Sequence, residues 1–454
     1  MKIVVLVVWL GVILCVVGCA RMVRPTNLNR IIVETEIADL NTDFYSESIT
    51  VSPDVRHIAY IEDVYSGLRV VVDDNPQESY DDIARGMQFS PSNDYVAYFA
   101  YHEGYSGGIF GLFATDPYWE VVVDENIYGQ YQDLLNNSIV ISPNAKHVAY
   151  GVFNFINAKV YFDHQALPDF ICSQDDTRDS VMVYDVFGPF LFSPNSLKFA
   201  YAAETVDSDE WAYSAIINNV AGKGYKYVYP YSLTFSPDSE KLAYVVQDSI
   251  FERVVISGEE LTGYESVPEA TILFSPDSEH LAYIVFDGEN WLVVQDEVES
   301  AGYDAIGTLI FSPDSKHLAY TAQDDEEWIV IKDKKEIVRH TGIIEKTLTF
   351  SPDSRHLVYA ASADSGIAVY EDDNQIGIYE AIVTPPTYSS DGRYLAYTIE
   401  ENDTQFVVIN GVRGQPYPAI ISYNGGRIVF DNDNHIHYLA VKDDDKVYLI
   451  EESF

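Results

Sequence analysis

The chain alternates short apolar runs with tight polar clusters, and its repeating stretches lack the 3.6-residue apolar period of a helix. In 348–379, Leu348 to Phe350 predicts a strand and Ser351-Pro352-Asp353-Ser354 a tight turn, with proline presetting φ and aspartate accepting backbone N–H groups. A second strand, His356 to Ala361, contains the unbroken run Leu357-Val358-Tyr359-Ala360-Ala361, which suits burial on both faces. Ile367 to Tyr370 predicts a third strand, Asp372-Asp373-Asn374 a hairpin turn, and Gln375 to Tyr379 a fourth.

The phrase at 350–359 returns as Phe235 to Tyr244, Phe274 to Tyr283 and Phe311 to Tyr320, with looser copies beginning at Val51, Phe89, Ile141, Phe192 and Tyr388. Its proline falls at 53, 91, 143, 194, 237, 276, 313 and 352, with Ser390 in the ninth copy, so the steps are 38, 52, 51, 43, 39, 37, 39 and 38. A degenerate tenth copy, Phe430-Asp431-Asn432-Asp433-Asn434, precedes a strand-like Val447 to Glu451. Four strands in about 40 residues, repeated along the chain, predict an all-β fold: a β-propeller of four-stranded blades with about ten repeat units. One large ring is favoured over an eight-bladed ring or two five-bladed rings. Pairing of Val447 to Glu451 with Ile31 to Asn41 would close it and protect the last blade's edge.

Phe-Ser-Pro-Asp-Ser followed by Leu-Ala-Tyr resembles the WD40-like repeat of the TolB propeller and of the propeller domains of tricorn-type and prolyl-oligopeptidase-type peptidases, over about Ile49 to Tyr397. The resemblance implies a scaffold rather than an activity. Serine replaces the family's usual glycine after the aspartate in most copies, glycine being kept at Gly392. The chain is also read as lacking TolB's N-terminal domain and a peptidase's hydrolase domain, so neither activity carries over.

Met1-Lys2, the apolar run Ile3 to Val17 and Gly18-Cys19-Ala20 predict an export signal, too short for a membrane-spanning helix. Val16-Val17-Gly18-Cys19 resembles the bacterial lipoprotein box, which implies acylation of Cys19 and cleavage before it. The alternative is an uncleaved anchor flanked by Arg21 and Arg24. The expected organisation is a signal peptide over 1–18, a lipidated tether over 19–30 and the propeller over 31–454. The predicted location is the cell membrane or outer membrane, on the periplasmic or extracellular side. Cys15 would leave with the signal and Cys19 would carry lipid, leaving Cys172 as the only thiol and no internal disulfide.

Charge narrows the partners. With 71 Asp and Glu against 27 Lys and Arg, a net charge of -44 disfavours nucleic acid and repels an anionic bilayer, so the lipid alone would hold the chain to the membrane. The acidity equally fits solvation, a divalent cation or a basic protein.

Several catalytic signatures are missing from the sequence: there is no His-Glu-x-x-His or Cys-x-x-Cys, and no phosphate-cradling glycine loop or cofactor motif. His57, His147, His280, His317 and His356 share one repeat position, too dispersed around a ring for one metal site, and read as caps of exposed strand ends. Asp431-x-Asp433-x-His435 lacks the third oxygen ligand, the glycine and the distal glutamate of a calcium loop. Trp119, Trp211, Trp291 and Trp328 each open a third strand and predict packing between blades.

Recognition is therefore expected in the loops that break the pattern. One oversized unit carries Tyr105, Phe110 and Phe113 in a glycine-rich aromatic insertion, and the next carries Asp175 and Asp176 in a polar one. In a propeller both would project from one rim, with the acidic loops 207–210, 287–289, 324–327 (Asp324, Asp325, Glu326, Glu327) and 400–403. The function expected is a cell-envelope lipoprotein whose propeller is a binding or assembly module for a protein partner. The alternatives are a carbohydrate-active or other hydrolytic enzyme using funnel carboxylates, and a receptor for a cation or small ligand.

Overall fold

The computed structural model describes residues 24–26, 28–40, 43–104, 115–135, 138–154, 157–168, 170–173, 181–207, 210–248 and 250–454. The described chain forms ten antiparallel-based sheets in sequence order, each one blade. Blade eight shows the plan: Thr349–Phe350, Leu357–Ala363, Gly366–Glu371 and Asn374–Tyr379 lie side by side as first to fourth strands. Its second strand is buried from Leu357 to Ala361, because one blade packs on each of its faces. First strands of blades one and two, and of six and seven, pack against each other, which puts this short edge at the ring's axis.

Ten apolar clusters stitch the ring, each filling one junction. Blades one and two share Ala59, Val70, Phe89 and Tyr98, and eight and nine share Val358, Val369, Leu395 and Tyr397. Blades ten and one share Leu439, Val447, Ile58 and Val71, so the chain of interfaces is unbroken. That continuity excludes an eight-bladed ring and two five-bladed rings. Ile31–Asp39 supplies blade ten's fourth strand, pairing from Ile31↔Ser453 to Asp39↔Lys446, as the repeat pattern predicts.

Blade four departs from the plan. Phe170–Ser173 pairs with Val181–Phe192 and, in parallel, with Val220–Ala221, closing that sheet into a five-stranded barrel.

Buried tyrosines lock the junctions. Every second strand presents one at the Leu-Ala-Tyr position, and at several junctions it meets a ring at the end of the preceding blade's fourth strand. The hydroxyls of Tyr131 and Tyr150 lie 3.0 Å apart and those of Tyr379 and Tyr397 2.9 Å, while His340 Nε2 lies 3.1 Å from the Tyr359 hydroxyl. The fourth-strand partners Tyr225, Tyr264, Tyr303, His340, Tyr379 and Tyr417 recur at nearly the blade period, and much of the chain's tyrosine content serves this seam.

Candidate functional site

A propeller has two faces, and here they differ in chemistry. The turn face carries the Ser-Pro-Asp turns between first and second strands and the hairpins between third and fourth. The loop face carries the second-to-third-strand loops and the connectors from blade to blade. Hydrogen bonds from backbone N–H groups to side-chain carboxylates join the two loop types on one face: Glu103 N–H donates to Asp81 Oδ2 (2.7 Å), Asp325 N–H to Asp304 Oδ2 (2.7 Å) and Asn402 N–H to Glu380 Oε2 (2.9 Å).

On the turn face one bond set recurs. The first serine's hydroxyl donates to the aspartate of its own turn and accepts the N–H five residues on, as Ser275 does with Asp277 (2.5 Å) and His280 (2.9 Å). The serine that replaces glycine sits at positive φ, 65° at Ser278, and its hydroxyl accepts the N–H of the aspartate one blade back. This clasp is 3.0 Å from Asp238 to Ser278, from Asp277 to Ser315 and from Asp314 to Ser354, and Asn195 uses Ser239 at the same distance. The serine that stands where a glycine was expected thus makes a blade-to-blade hydrogen bond.

The five histidines each donate from Nδ1 to an aspartate sixteen residues on in the third-to-fourth hairpin, at 2.5 Å for His57 and Asp73 and 2.7–2.8 Å for His147, His280, His317 and His356. The same carboxylate accepts the next backbone N–H, as Asp296 does from Leu281 (3.0 Å). They tie a turn to a hairpin within one blade. Asp431 receives His435 (2.7 Å) and His437 (2.9 Å), while Asp433 accepts from Asp391 N–H (3.1 Å). Among the described residues no group of three or more His, Cys, Asp or Glu is arranged to hold a metal.

The turn face also holds the chain's entry. Residues 24–26 and 28–30, part of the stretch expected as a tether, lie against blades eight to ten. Arg24 pairs with Glu371 and stacks over Tyr388 at 5.2 Å, and Pro25 O accepts from Asn410 (3.0 Å). Arg30 forms a buried ion pair with Glu452 (2.5 Å), whose other oxygen accepts from Tyr438 (2.5 Å).

The loop face is irregular and exposes apolar side chains beside its acidic loops. Among the described residues its exposed large apolar side chains are Tyr45, Tyr65, Trp211, Tyr231, Ile250, Phe251 and Tyr423, against Leu197 in the turns of the turn face; Ile31, Val33, Ile127, Val298 and Ile378 lie on fourth strands, Ile31, Ile127 and Val298 near their turn-face ends. Those of the loop face fall into two groups, at blades ten and one and at blades four and five. Trp211 is 57% exposed, so the expected packing between blades fails there, while Trp119 is part of the junction between blades two and three. A signal for Ile250 and Phe251 existed: aligned by repeat, they stand where other units place Glu289 and Asn290, or Glu326 and Glu327.

Of the residues predicted for the site, Tyr105, Phe110, Phe113, Asp175, Asp176 and Cys19 lie outside the described residues. Asp324, Asp325, Glu326 and Glu327 form blade seven's exposed second-to-third turn. Arg339 binds Asp324 (3.1 Å), Glu327 (3.6 Å) and Glu336 (2.8 Å), so the cluster is partly neutralised. Glu336 first, then Asp324, raise the guanidinium's pKa. On blade nine, Glu401 is likewise paired with Arg413 (2.6 Å).

Clefts lie at blade junctions. On the turn face, one of about 300 Å³ between blades one and two includes His57, Asp73, Gln77 and Tyr95, and its counterpart of about 260 Å³ between five and six includes Lys241, His280, Tyr283 and Glu297. Another of about 360 Å³ lies at the axial edge of blades six to eight, beside Thr271, Gly307, Thr308 and Lys346.

No family model and no curated protein matches this chain. Solved structures similar to it include a eukaryotic initiation factor (14% identity, 73% of this chain and 86% of that one, TM-score 0.43). TolB from Acinetobacter baumannii is 12% identical over 68% of this chain and 80% of its own, with a TM-score of 0.28. The propeller domain of the trilobed protease from Pyrococcus furiosus is 13% identical over 59% and 92%, with a TM-score of 0.31. Likeness at this level says nothing of what the chain binds.

Proposed function

We propose that this ten-bladed propeller is a binding or assembly module of the cell envelope, held to its membrane through lipid on Cys19, and that it docks a basic protein on its loop face. One observation carries the reading: among the described residues the exposed large aromatic side chains, Tyr45, Tyr65, Trp211, Tyr231, Phe251 and Tyr423, all lie on the loop face. Exposed Trp, Tyr and Phe on a rigid scaffold supply contact area at small entropic cost and mark interface centres. Acidic loops on the same face, including 287–289, 324–327 and 400–403, favour a partner of positive charge.

The test is crosslinked capture from intact envelopes, comparing the native lipidated protein with a Trp211→Ala/Phe251→Ala variant and a Leu197→Ala control on the opposite face. Capture of one defined protein by native and control, and its loss from the double variant, is the expected result. Equal capture by all three would refute docking at blades four and five.

A further inference from the structure

The strap formed by residues 24–26 and 28–30 leads to an orientation. We infer that it fixes the turn face of the propeller, at blades eight and nine, toward the lipid bilayer, and so presents the loop face away from it. The inference rests on the lipid-anchored reading above.

Arg24 is the first described residue, and its guanidinium is held by Glu371 at the end of blade eight's third strand, beside the Asp372-Asp373 hairpin. It also lies over Tyr388, the residue before blade nine's turn. Pro25 is tied to Asn410 in blade nine's hairpin, Leu28 packs into the junction of blades nine and ten, and Arg30 is buried against Glu452. Every contact is on the turn face or at the turn-face end of a strand, because Ile31 pairs with Ser453 there before the chain runs across to the loop face.

Cys19 is five residues before Arg24. Even fully extended, five residues reach about 17 Å, so an acyl chain on Cys19 holds blades eight and nine within that distance of the bilayer surface. A diacylglyceryl group carries two chains, enough for stable anchoring. The chain's charge of -44 gives no adhesion of its own to an anionic surface. Orientation then falls to the strap, whose ion pair, stacking and packed leucine fix where the anchor leaves the ring. A free tether would let either face approach the membrane.

The experiment uses the full chain, matured in its host and reconstituted in vesicles, with Cys172→Ser as background. A fluorophore is placed by Arg355→Cys on blade eight's turn, or by Asp364→Cys on its exposed second-to-third loop, and energy transfer to a headgroup acceptor is read. Transfer at least twofold more efficient from position 355 than from 364 is expected, and Arg24→Ala should narrow the difference. Equal transfer, stronger transfer from 364, or a difference indifferent to Arg24→Ala overturns the orientation. Mass spectrometry of the N-terminal peptide separates the two readings. An unacylated Cys19 overturns the anchor and the orientation together, whereas an acylated Cys19 with equal transfer overturns the orientation alone.

Discussion

The turn face repeats its bonds with the same side chains from blade to blade, whereas the side chains that bridge neighbouring blades on the loop face change from junction to junction. Asp277 reaches Ser315 and Asp314 reaches Ser354 in the same way on the turn face. On the loop face, Glu47 pairs with Arg85, Tyr231 N–H donates to Glu269, and Lys346 N–H donates to Thr308. Polar groups used once per blade maintain the ring and are committed to it. Side chains that break the repeat and remain exposed, as Ile250 and Phe251 do, have no such employment, and burial against a partner would offset the cost of their exposure. Four changes would break or sharpen this contrast.

The largest effect belongs to the seam where the chain's ends meet. Glu452 is fully buried, and Arg30→Ala would leave its carboxylate without its counter-ion. Breaking one partner of a buried pair costs about 3–5 kcal/mol, read here as a lower urea midpoint, while Arg30→Met with Glu452→Met should be near neutral. If Arg30→Ala left the midpoint unchanged, the strap would not be part of the ring's closure.

Next comes the loop face itself, where stability and binding should separate. Trp211→Ala with Phe251→Ala is expected to weaken capture by about 2 kcal/mol or more, some 30-fold, as loss of an aromatic hot spot does. Unfolding of the same variant should shift by less, about 1 kcal/mol per site, since each side chain is about half exposed. A large loss of stability with unchanged capture would reverse the roles assigned to them.

The turn-face clasps predict smaller, purely structural changes. Ser278→Ala removes the acceptor of Asp238 N–H and should cost about 1 kcal/mol in chemical unfolding. Ser278→Gly loses the same bond but relieves the φ of 65°, so it should cost less, as Gly392 does naturally in blade nine. Acid adds a signature. The hydroxyls of Ser236, Ser275 and Ser312 are the first cause holding Asp238, Asp277 and Asp314 below the usual carboxylate range, Asp314 down to about 2. A depressed folded pKa means that the stabilisation is whole above the unfolded value of about 3.9 and fades as pH falls toward the folded one. Stability should therefore decline below about pH 4. Asp314→Asn should flatten that decline while keeping the bonds, since Asn144 and Asn195 accept the same serine hydroxyls at 2.7 and 2.8 Å.

The fold was legible because propeller strands are local: each blade's first, second and third strands and hairpins lie within about 40 residues, and the phrase ending in Leu-Ala-Tyr marks every second strand. Even the long-range pairing of Ile31–Asp39 with Lys446–Ser453 followed from the need to close an edge. Contacts between blades were not legible. Nothing in the local pattern at Ser278 says that its hydroxyl serves a backbone N–H forty residues earlier. Arg24 looked like one of a few charges in a polar stretch, and its partner Glu371 lies 347 residues away. The acidic turn at 324–327 was legible as a cluster, but Arg339, which partly neutralises it, sits on the next strand.

That neutralisation sets the smallest effect. Exchanging Asp324 and Asp325 for Asn, and Glu326 and Glu327 for Gln, removes four formal charges at one exposed turn, two of them already facing Arg339. Unpaired rim charges act mainly by steering the encounter, so the association rate for a basic partner should fall a few-fold at low salt and converge with the native value as the Debye length shrinks to about 3 Å near 1 M salt. Dissociation should barely change, because the aromatic contacts at blades four and five remain. Stopped-flow association across a salt series reads both quantities. A rate independent of the exchange at every salt concentration would leave recognition to the aromatic groups and remove charge from the account of the loop face.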